Sequence, residues 1–201
     1  MTARSTASIS PSIPRQPYKL SLDEYMELPN DGKRYQILDG VLDVAPVPAP
    51  RHQHIQNRLA HVLTAELEDL GRGEVYVAPI DWVLHENTIV QPDLIFIAAE
   101  RLHIVGESNV RGALDLVVEI VSPSTRRTDV LIKSELYARF GVSTYWIVDP
   151  DLDRIEAYRL SNGRYEPAGA ASSPAIFEPA APAGLEIDLT EIFIRPLRPQ
   201  P

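Results

Sequence analysis

The chain contains 201 residues, with 19 basic and 28 acidic side chains and no cysteine. This length, with a hydrophobic content of 44%, fits one globular domain and excludes a fibrous or wholly disordered chain. The lack of cysteine excludes disulfides, thiolate metal sites and a cysteine nucleophile. The formal net charge of −9 argues against extensive non-specific binding of nucleic acid, because such binding depends on basic side chains that neutralise phosphates.

The two ends of the chain differ from its middle. Residues 1–17 are rich in serine, threonine and proline, which predicts a flexible segment. A single domain is expected over residues 18–195, followed by a short tail at 196–201. No apolar run approaches the ~20 residues that span a bilayer, and the first twenty residues lack the apolar core of a signal peptide. We therefore expect a soluble, cytoplasmic protein without a membrane partner.

The pattern between these ends predicts a mixed α/β (α+β) domain. Helical spacing predicts helices at 22–28, with a capping box of Ser21 and Glu24, and at 51–70 and 128–140. Apolar patterns predict strands at 74–84, 88–98, 114–121 and 144–149, hairpins at 35–44 and 154–168, and a short strand with a helical turn over 185–193. The central order is helix, three strands, helix and strand. Short loops favour antiparallel pairing of the three strands, and the second helix lets the last strand cross over.

Two acidic residues interrupt strands that are otherwise apolar. Period two places Glu119 between Val117 and Val121 on one face of a strand whose near-continuous apolar character predicts burial on both faces. Asp93 follows Pro92, which marks a strand edge or bulge because proline cannot donate to the ladder. Taken singly, Glu119 could form a structural ion pair and Asp93 could be a turn residue. Two such acids on neighbouring strands indicate an oxygen site for a hard cation such as Mg²⁺ or Mn²⁺.

A lysine lies on the apolar face of the predicted helix 128–140. Lys133 shares that face with Val130, Tyr137 and Phe140 by i+3, i+4 and i+7 spacing. The long side chain of a lysine can snorkel to solvent, so a structural role is one interpretation. The other is an ammonium group that orients water and stabilises charge on a phosphate.

These residues fall within motifs that, taken together and in order, resemble the Uma-type family of proposed restriction endonucleases, in the restriction-endonuclease-like PD-(D/E)XK superfamily. The resemblance covers about residues 18–195, and its motifs are Val90-Gln91-Pro92-Asp93-Leu94, the run LVVEIVSPST from 116 to 125, Lys133-x3-Tyr137 and Gly141-Val142-x2-Tyr145-Trp146-x-Val148-Asp149-Pro150. It implies a restriction-endonuclease-like fold: a central mixed sheet flanked by helices in an αβββαβ core, with a hairpin added at each end.

The resemblance also implies site residues and a reaction. Asp93 fills the "PD" position and Glu119 the "(D/E)" position, while Val121 stands where the usual lysine would be and Lys133 matches a displaced lysine. Asp93, Glu119 and the main-chain carbonyl of Ile120 would bind Mg²⁺, which would activate water for phosphodiester hydrolysis. Lys133 would orient or help deprotonate that water.

Five further residues are accessory candidates by resemblance: Gln36, His52, Ser122, Ser124 and Tyr137. The family usually carries glutamate where this chain has Gln36, and an exposed strand residue is the alternative interpretation. His52 would contact phosphate or a ligand, or else serve a structural role near a helix start. The run SPST at 122–125 offers hydroxyl groups to an anion, although an ordinary helix cap explains it as well.

Two functions remain open from the sequence, and a third possibility, a purely structural domain, ranks last because it leaves Asp93, Glu119 and Lys133 unexplained. The first is a metal-dependent endonuclease acting on DNA, expected to work as a homodimer because cutting both strands needs two sites. The second is a weakly active or inactive module on the same fold that binds DNA or regulates a partner, which the acidic balance and Gln36 favour. The local charge is compatible with either function, because residues 122–139 include four basic and two acidic side chains.

Overall fold

The computed structural model describes residues 19–193, so the expected terminal segments 1–17 and 196–201 lie outside the described residues. The helices are α1 (Leu22–Met26), α2 (Pro50–Leu63), α3 (Ser134–Arg139) and α4 (Leu189–Phe193). Three irregular helical segments accompany them: π-helical Thr64–Glu68 after α2, 3-10 helical Ala99–Ile104, and π-helical Thr128–Lys133, which leads into α3.

The strands form two main sheets and a short pair. They are β1 (Arg34–Leu38), β2 (Val41–Ala45), β3 (Gly73–Val77), β4 (Trp82–His85), β5 (Thr88–Val90), β6 (Leu94–Ala98), β7 (Val110–Arg111), β8 (Leu116–Ile120), β9 (Thr144–Asp149), β10 (Arg154–Ser161), β11 (Arg164–Ser172), β12 (Ile176–Phe177) and β13 (Ile187–Asp188). The six-stranded sheet has the order β11-β10-β9-β8-β6-β3, and the five-stranded sheet has the order β2-β1-β5-β4-β7.

The six-stranded sheet confirms the predicted core. Strands β3, β6 and β8 pair antiparallel, and β9 joins β8 in parallel after the helical segment between them. Both predicted hairpins also form, β1 with β2 and β10 with β11. Their turns use positive φ angles at Asp39-Gly40 and Asn162-Gly163, as an Asp-Gly or Asn-Gly hairpin turn requires.

The predicted single strands 74–84 and 88–98 are wrong, because each run divides between the two sheets. The first run breaks between β3 and β4, around Pro79, and the second breaks between β5 and β6, around Pro92. Proline has no N–H to donate to a ladder, which ends pairing at both places. The consequence is a five-stranded sheet that the sequence did not predict and a sheet-to-sheet crossing immediately before Asp93.

Apolar clusters cover both faces of β8, as its near-continuous apolar sequence predicts. On one face Leu116, Val118 and Ile120 belong to a core that includes α2 and α4. On the other face Val117 and Val121 belong to a core that includes Tyr137. A third, smaller cluster joins α1 to the five-stranded sheet. Glu119 therefore lies on a strand that is enclosed on both sides.

The helices match the predictions except at their ends. The capping box of α1 forms as expected, with the Ser21 N–H donating to Glu24 Oε2 at 2.9 Å. The predicted helix 51–70 is α-helical only to Leu63 and continues as a π-helical turn. None of the helices within residues 19–193 combines the length and apolar content that crossing a lipid bilayer requires.

The packing of α2 against the six-stranded sheet generates a stability prediction. Leu59 is fully buried in that core, and Leu70 is 65% exposed. We expect Leu59→Ala to lower the free energy of unfolding by about 2–5 kcal/mol, because it leaves a cavity. The matched change Leu70→Ala should alter it by less than about 0.5 kcal/mol. Urea unfolding followed by circular dichroism measures both, and equal losses would contradict the assigned packing.

Candidate active site

The crossing between the two sheets holds the main chain of Asp93 in place. Its carbonyl oxygen accepts hydrogen bonds from the Ala78 N–H at 3.0 Å and from Gln56 Nε2 at 2.9 Å. One residue before Pro92, the Gln91 carbonyl accepts from the Arg34 guanidinium at 2.7 Å. These bonds replace the ladder contacts that are lost at the proline. They fix the direction in which the Asp93 side chain points.

The carboxylate of Asp93 is buried and hydrogen-bonded. Its Oδ2 accepts from the Ile120 N–H at 2.9 Å and from His52 Nε2 at 3.1 Å, and its Oδ1 lies 3.5 Å from Arg34 Nη1. Burial alone would raise the pKa of Asp93, but the bonds from His52 and Ile120, with the nearby Lys133 ammonium, hold that pKa below its usual value. Asp93 is therefore ionised at neutral pH.

Glu119 lies on β8 and points into the same region. Its Oε1 accepts hydrogen bonds from Lys133 Nζ at 3.0 Å and from the Tyr137 hydroxyl at 2.5 Å. Burial raises the pKa of Glu119 to about 8; Asp129 and Asp93 add to the rise, while Lys133 and Tyr137 oppose it. The carboxyl group of Glu119 therefore titrates within the physiological range.

The Lys133 ammonium lies between two carboxyl groups. Besides Glu119, its Nζ contacts Asp129 Oδ1 at 3.1 Å, an i,i+4 pair within the helical segment. Lys133 is only 4% exposed, so its side chain does not snorkel to solvent. The carboxyl groups outweigh burial and raise the pKa of Lys133 above its ordinary value. The predicted helix face is thus correct, and it brings a charged ammonium into contact with one of the two predicted acids, Glu119.

These side chains meet at one cavity of about 390 Å³, which we call the central cavity. The sequence-predicted residues that line it are Gln36, His52, Asp93, Glu119, Ile120, Ser122, Ser124 and Lys133. Tyr137 is the exception, because it supports Glu119 from within the core and is not part of the lining.

The accessory residues differ in what they contact. Gln36 is 2% exposed, so the interpretation as an exposed strand residue is wrong; its Oε1 accepts from the Gln91 N–H at 3.0 Å. Ser122 Oγ lies 3.0 Å from Ser124 Oγ and accepts from the Thr125 N–H at 3.2 Å. The serines therefore cap the turn ahead of the helix while also lining the central cavity.

Two residues of the site were not predicted from the sequence. Asp129 is 3% exposed and pairs with Lys133, and its i,i+4 spacing from Lys133 is a signal that could have found it. Arg34 reaches Asp93 from β1, which joins β5 through the pair Ile37 and Ile89. No local pattern marks Arg34, because its contact arises from pairing between distant strands.

The donor chemistry of the central cavity fits a hard divalent cation. Within residues 19–193, no three His, Cys, Asp or Glu side chains are arranged as a metal cage. The predicted donors are the carboxylates of Asp93 and Glu119 and the carbonyl of Ile120, and the carboxyl groups of Asp43 and Asp129 also line the cavity. Mg²⁺ is often held by one or two carboxylates and keeps several waters, so a small oxygen set is sufficient. A cation would also stabilise the ionised form of Glu119 against its burial.

Comparison with known proteins identifies the family to which the chain belongs. A family model for Uma2, described as "Putative restriction endonuclease", matches residues 22–190. The chain belongs to the Uma2 family. Among solved structures, a "putative nuclease belonging to DUF820" from Anabaena variabilis ATCC 29413 is 20% identical with a TM-score of 0.71, and the match covers 87% of this chain and 97% of that chain. No curated protein matches the chain.

The comparisons confirm the predicted family and fold. The structural likeness to the Anabaena protein covers nearly the whole domain and shows a restriction-endonuclease-like fold for this Uma2 chain. The family description supports a nuclease, that is, an enzyme acting on nucleic acid.

The raised pKa of Glu119 predicts a pH dependence of stability. Unfolded, the carboxyl group titrates near 4.5, whereas in the folded protein its pKa is about 8. The folded state therefore binds more protons between these values, and the free energy of unfolding should fall as pH rises from about 5 to about 8. Glu119→Gln keeps the side-chain shape and should flatten this slope. Urea unfolding across that range, without divalent cations, measures it; parallel slopes in both proteins would contradict the assignment.

Proposed function

We propose that this Uma2 protein is a metal-dependent endonuclease that hydrolyses phosphodiester bonds of DNA. The observation that carries the proposal is the convergence of two buried acids, Asp93 and Glu119, and the buried Lys133 ammonium at one cavity. Burying a charged group is unfavourable unless a partner compensates it. Three such groups at one cavity therefore indicate that a reaction at this cavity requires them. The homodimer and the cytoplasmic location stay predictions from the sequence.

The proposed metal ligands are Asp93, Glu119 and the Ile120 carbonyl, with Mg²⁺ as the ion and Mn²⁺ as a substitute. When bound, the ion would acidify a water molecule and withdraw negative charge from the scissile phosphate. The protein orients these ligands in advance. His52 and the Ile120 N–H fix the Asp93 carboxylate, so this ligand needs little rearrangement on binding.

Lys133 is proposed to act as a protonated group. Its raised pKa keeps the ammonium charged at neutral pH, which favours orientation of the attacking water and stabilisation of the transition state over abstraction of the water's proton. In hydrolysis the water oxygen bonds to phosphorus while the bond from phosphorus to the leaving oxygen breaks. Negative charge grows on the phosphate oxygens during this step, and the Lys133 ammonium lies at the cavity where it can offset that charge.

Gln36 does not require an inactive site. Its amide oxygen accepts from the Gln91 N–H, and its Nε2 donates to Asp43 at 3.4 Å. These bonds help hold the strand crossing that positions Asp93. A structural role at this crossing accounts for an uncharged residue there and supports the active-enzyme hypothesis over the inactive module.

The proposed roles predict the effect of removing each charged group. Asp93→Asn, Glu119→Gln and Lys133→Met should each lower the cleavage rate of labelled DNA in Mg²⁺ or Mn²⁺ by at least about 100-fold. Glu135→Gln is the control, because Glu135 is exposed on the same helix, and its rate should stay within about twofold.

Calorimetry separates loss of metal from loss of chemistry in these variants. Glu119→Gln should bind Mg²⁺ and Mn²⁺ more weakly than the wild type, whereas Lys133→Met should retain binding. A wild type that binds DNA but cleaves none would support the inactive module. Cleavage that survives in Glu119→Gln would exclude this cavity as the active site.

Asp129 is proposed to position Lys133, and Asp129→Asn tests this role. Loss of the carboxylate weakens one of the two contacts on the ammonium, so kcat should fall by about 10- to 100-fold with little change in KM. It also removes one of the charges that raise the pKa of Glu119, so the acidic limb of the pH–rate profile should move to lower pH. A lower kcat with an unchanged pH profile would point to a purely structural role.

A further inference from the structure

We propose that the central cavity accepts an unpaired DNA strand, one nucleotide at a time, and excludes the backbone of an intact duplex. This inference rests on the proposed nuclease function and adds the substrate class. Four observations carry it: the depth of the reactive groups, the volume of the cavity, its two chemically different walls and the acidic balance of the chain.

The reactive groups lie deep in the protein. Asp93, Glu119 and Lys133 are only 4%, 2% and 4% exposed, yet each must come close to the scissile phosphate for hydrolysis. A duplex is stiff, and bending a site of 20–30 base pairs by 40–90° costs on the order of 1–6 kcal/mol. An unpaired strand lacks this stiffness and can direct one phosphate inward while its neighbours remain outside.

The volume of the cavity also favours an unpaired strand. Its volume of about 390 Å³ lies within the range of roughly 300–1,000 Å³ that holds small ligands. A cavity of this volume has room for a small ligand and not for a segment of two paired strands. A single nucleotide is a ligand of the size that such a cavity holds.

The cavity has two chemically different walls. One wall is the apolar segment 44–49, with Val44, Pro46, Val47 and Pro48. Proline restricts the backbone here, and Val47 between the two prolines is 91% exposed. An exposed valine held on a restricted segment at a polar cavity suits contact with a base or a deoxyribose ring.

A second part of the lining, which we call the hydroxyl wall, carries hydroxyl groups. Ser122, Ser124, Thr125 and Thr128 line it, and the Arg34 guanidinium also reaches the cavity. Hydroxyl and guanidinium groups are donors to phosphate oxygens. The walls thus match the two halves of a nucleotide, with the apolar half against 44–49 and the phosphate against the hydroxyl wall.

The overall charge agrees with this substrate. A protein that grips duplex DNA along its length neutralises many phosphates with lysine and arginine. This chain has a formal net charge of −9, so it is poorly suited to such a contact. Local recognition of one nucleotide in a cavity requires fewer basic residues.

Cleavage of three labelled substrates of the same sequence tests the inference: a single strand, the matching duplex, and that duplex with a central unpaired bubble. With Mn²⁺ or Mg²⁺, the wild type should cleave the single strand and the bubble at least about tenfold faster than the duplex. Cuts in the bubble substrate should fall among its unpaired nucleotides. Equal or faster cleavage of the intact duplex would overturn the inference.

Binding measurements separate this inference from the nuclease proposal. Fluorescence anisotropy with the metal-free protein should give a Kd for the single strand at least about tenfold lower than for the duplex, whether or not cleavage occurs. Absence of cleavage with this preference intact would refute only the nuclease proposal. Cleavage with equal affinity and rate on both forms would refute only the choice of substrate.

A pair of variants tests the apolar wall. Val47→Asp places a carboxylate beside the expected path of the strand and should raise KM for the single strand about tenfold, with kcat nearly unchanged. Val41→Asp is the matched control, because Val41 is 67% exposed at the start of β2 and does not line the cavity. Both variants should unfold at the wild-type urea concentration. An unchanged KM in Val47→Asp would exclude this wall from the binding path.

Discussion

The site depends on the buried contact between the Lys133 ammonium and the carboxyl group of Glu119, which becomes an ion pair when Glu119 loses its proton. Removing two charges from water is costly, and their attraction offsets that cost only when the geometry is good and other bonds assist. Asp129 on the ammonium and the Tyr137 hydroxyl on Glu119 provide those bonds. Burial, together with the nearby Asp129 and Asp93 carboxylates, raises the pKa of Glu119 to about 8, so its carboxyl group holds a proton to unusually high pH. The arrangement is poor for stability alone and well suited to receiving a cation.

The fold serves this cluster by crossing from one sheet to the other at Pro92. A straight strand would bury Asp93 within a ladder and direct its side chain by simple alternation. The crossing ends the ladder and leaves the main chain held by Gln56, Ala78 and Arg34. Strand β8 then provides the Ile120 N–H to the Asp93 carboxylate. The crossing segment and strand β8 therefore determine where Asp93 and Glu119 lie.

Local patterns predicted much of this structure. Period two placed Glu119 on the strand face of Val117 and Val121, helical spacing placed Lys133 on the face of Tyr137, and the Asp-Gly and Asn-Gly pairs marked both hairpins. The second sheet was missed because apolar residues lie on both sides of Pro79 in 74–84 and of Pro92 in 88–98, so each run resembles one interrupted strand. Which sheet each half joins depends on partners far away in the chain, such as Ile37 for Ile89. The Arg34 contact was missed for the same reason, whereas the spacing of Asp129 from Lys133 is a local signal.

A deep site changes how a nuclease of this kind can be selective. A shallow site must distinguish substrates by contacts along the duplex, and such contacts need a basic surface. In a recessed cavity, access itself discriminates, because only a flexible strand brings a phosphate to groups that are nearly inaccessible to water. The acidic balance of the chain is then compatible with a nuclease. The same enclosure that raises the pKa of Glu119 also restricts what can reach it, so the electrostatics of the site and the proposed preference for an unpaired strand have one physical origin.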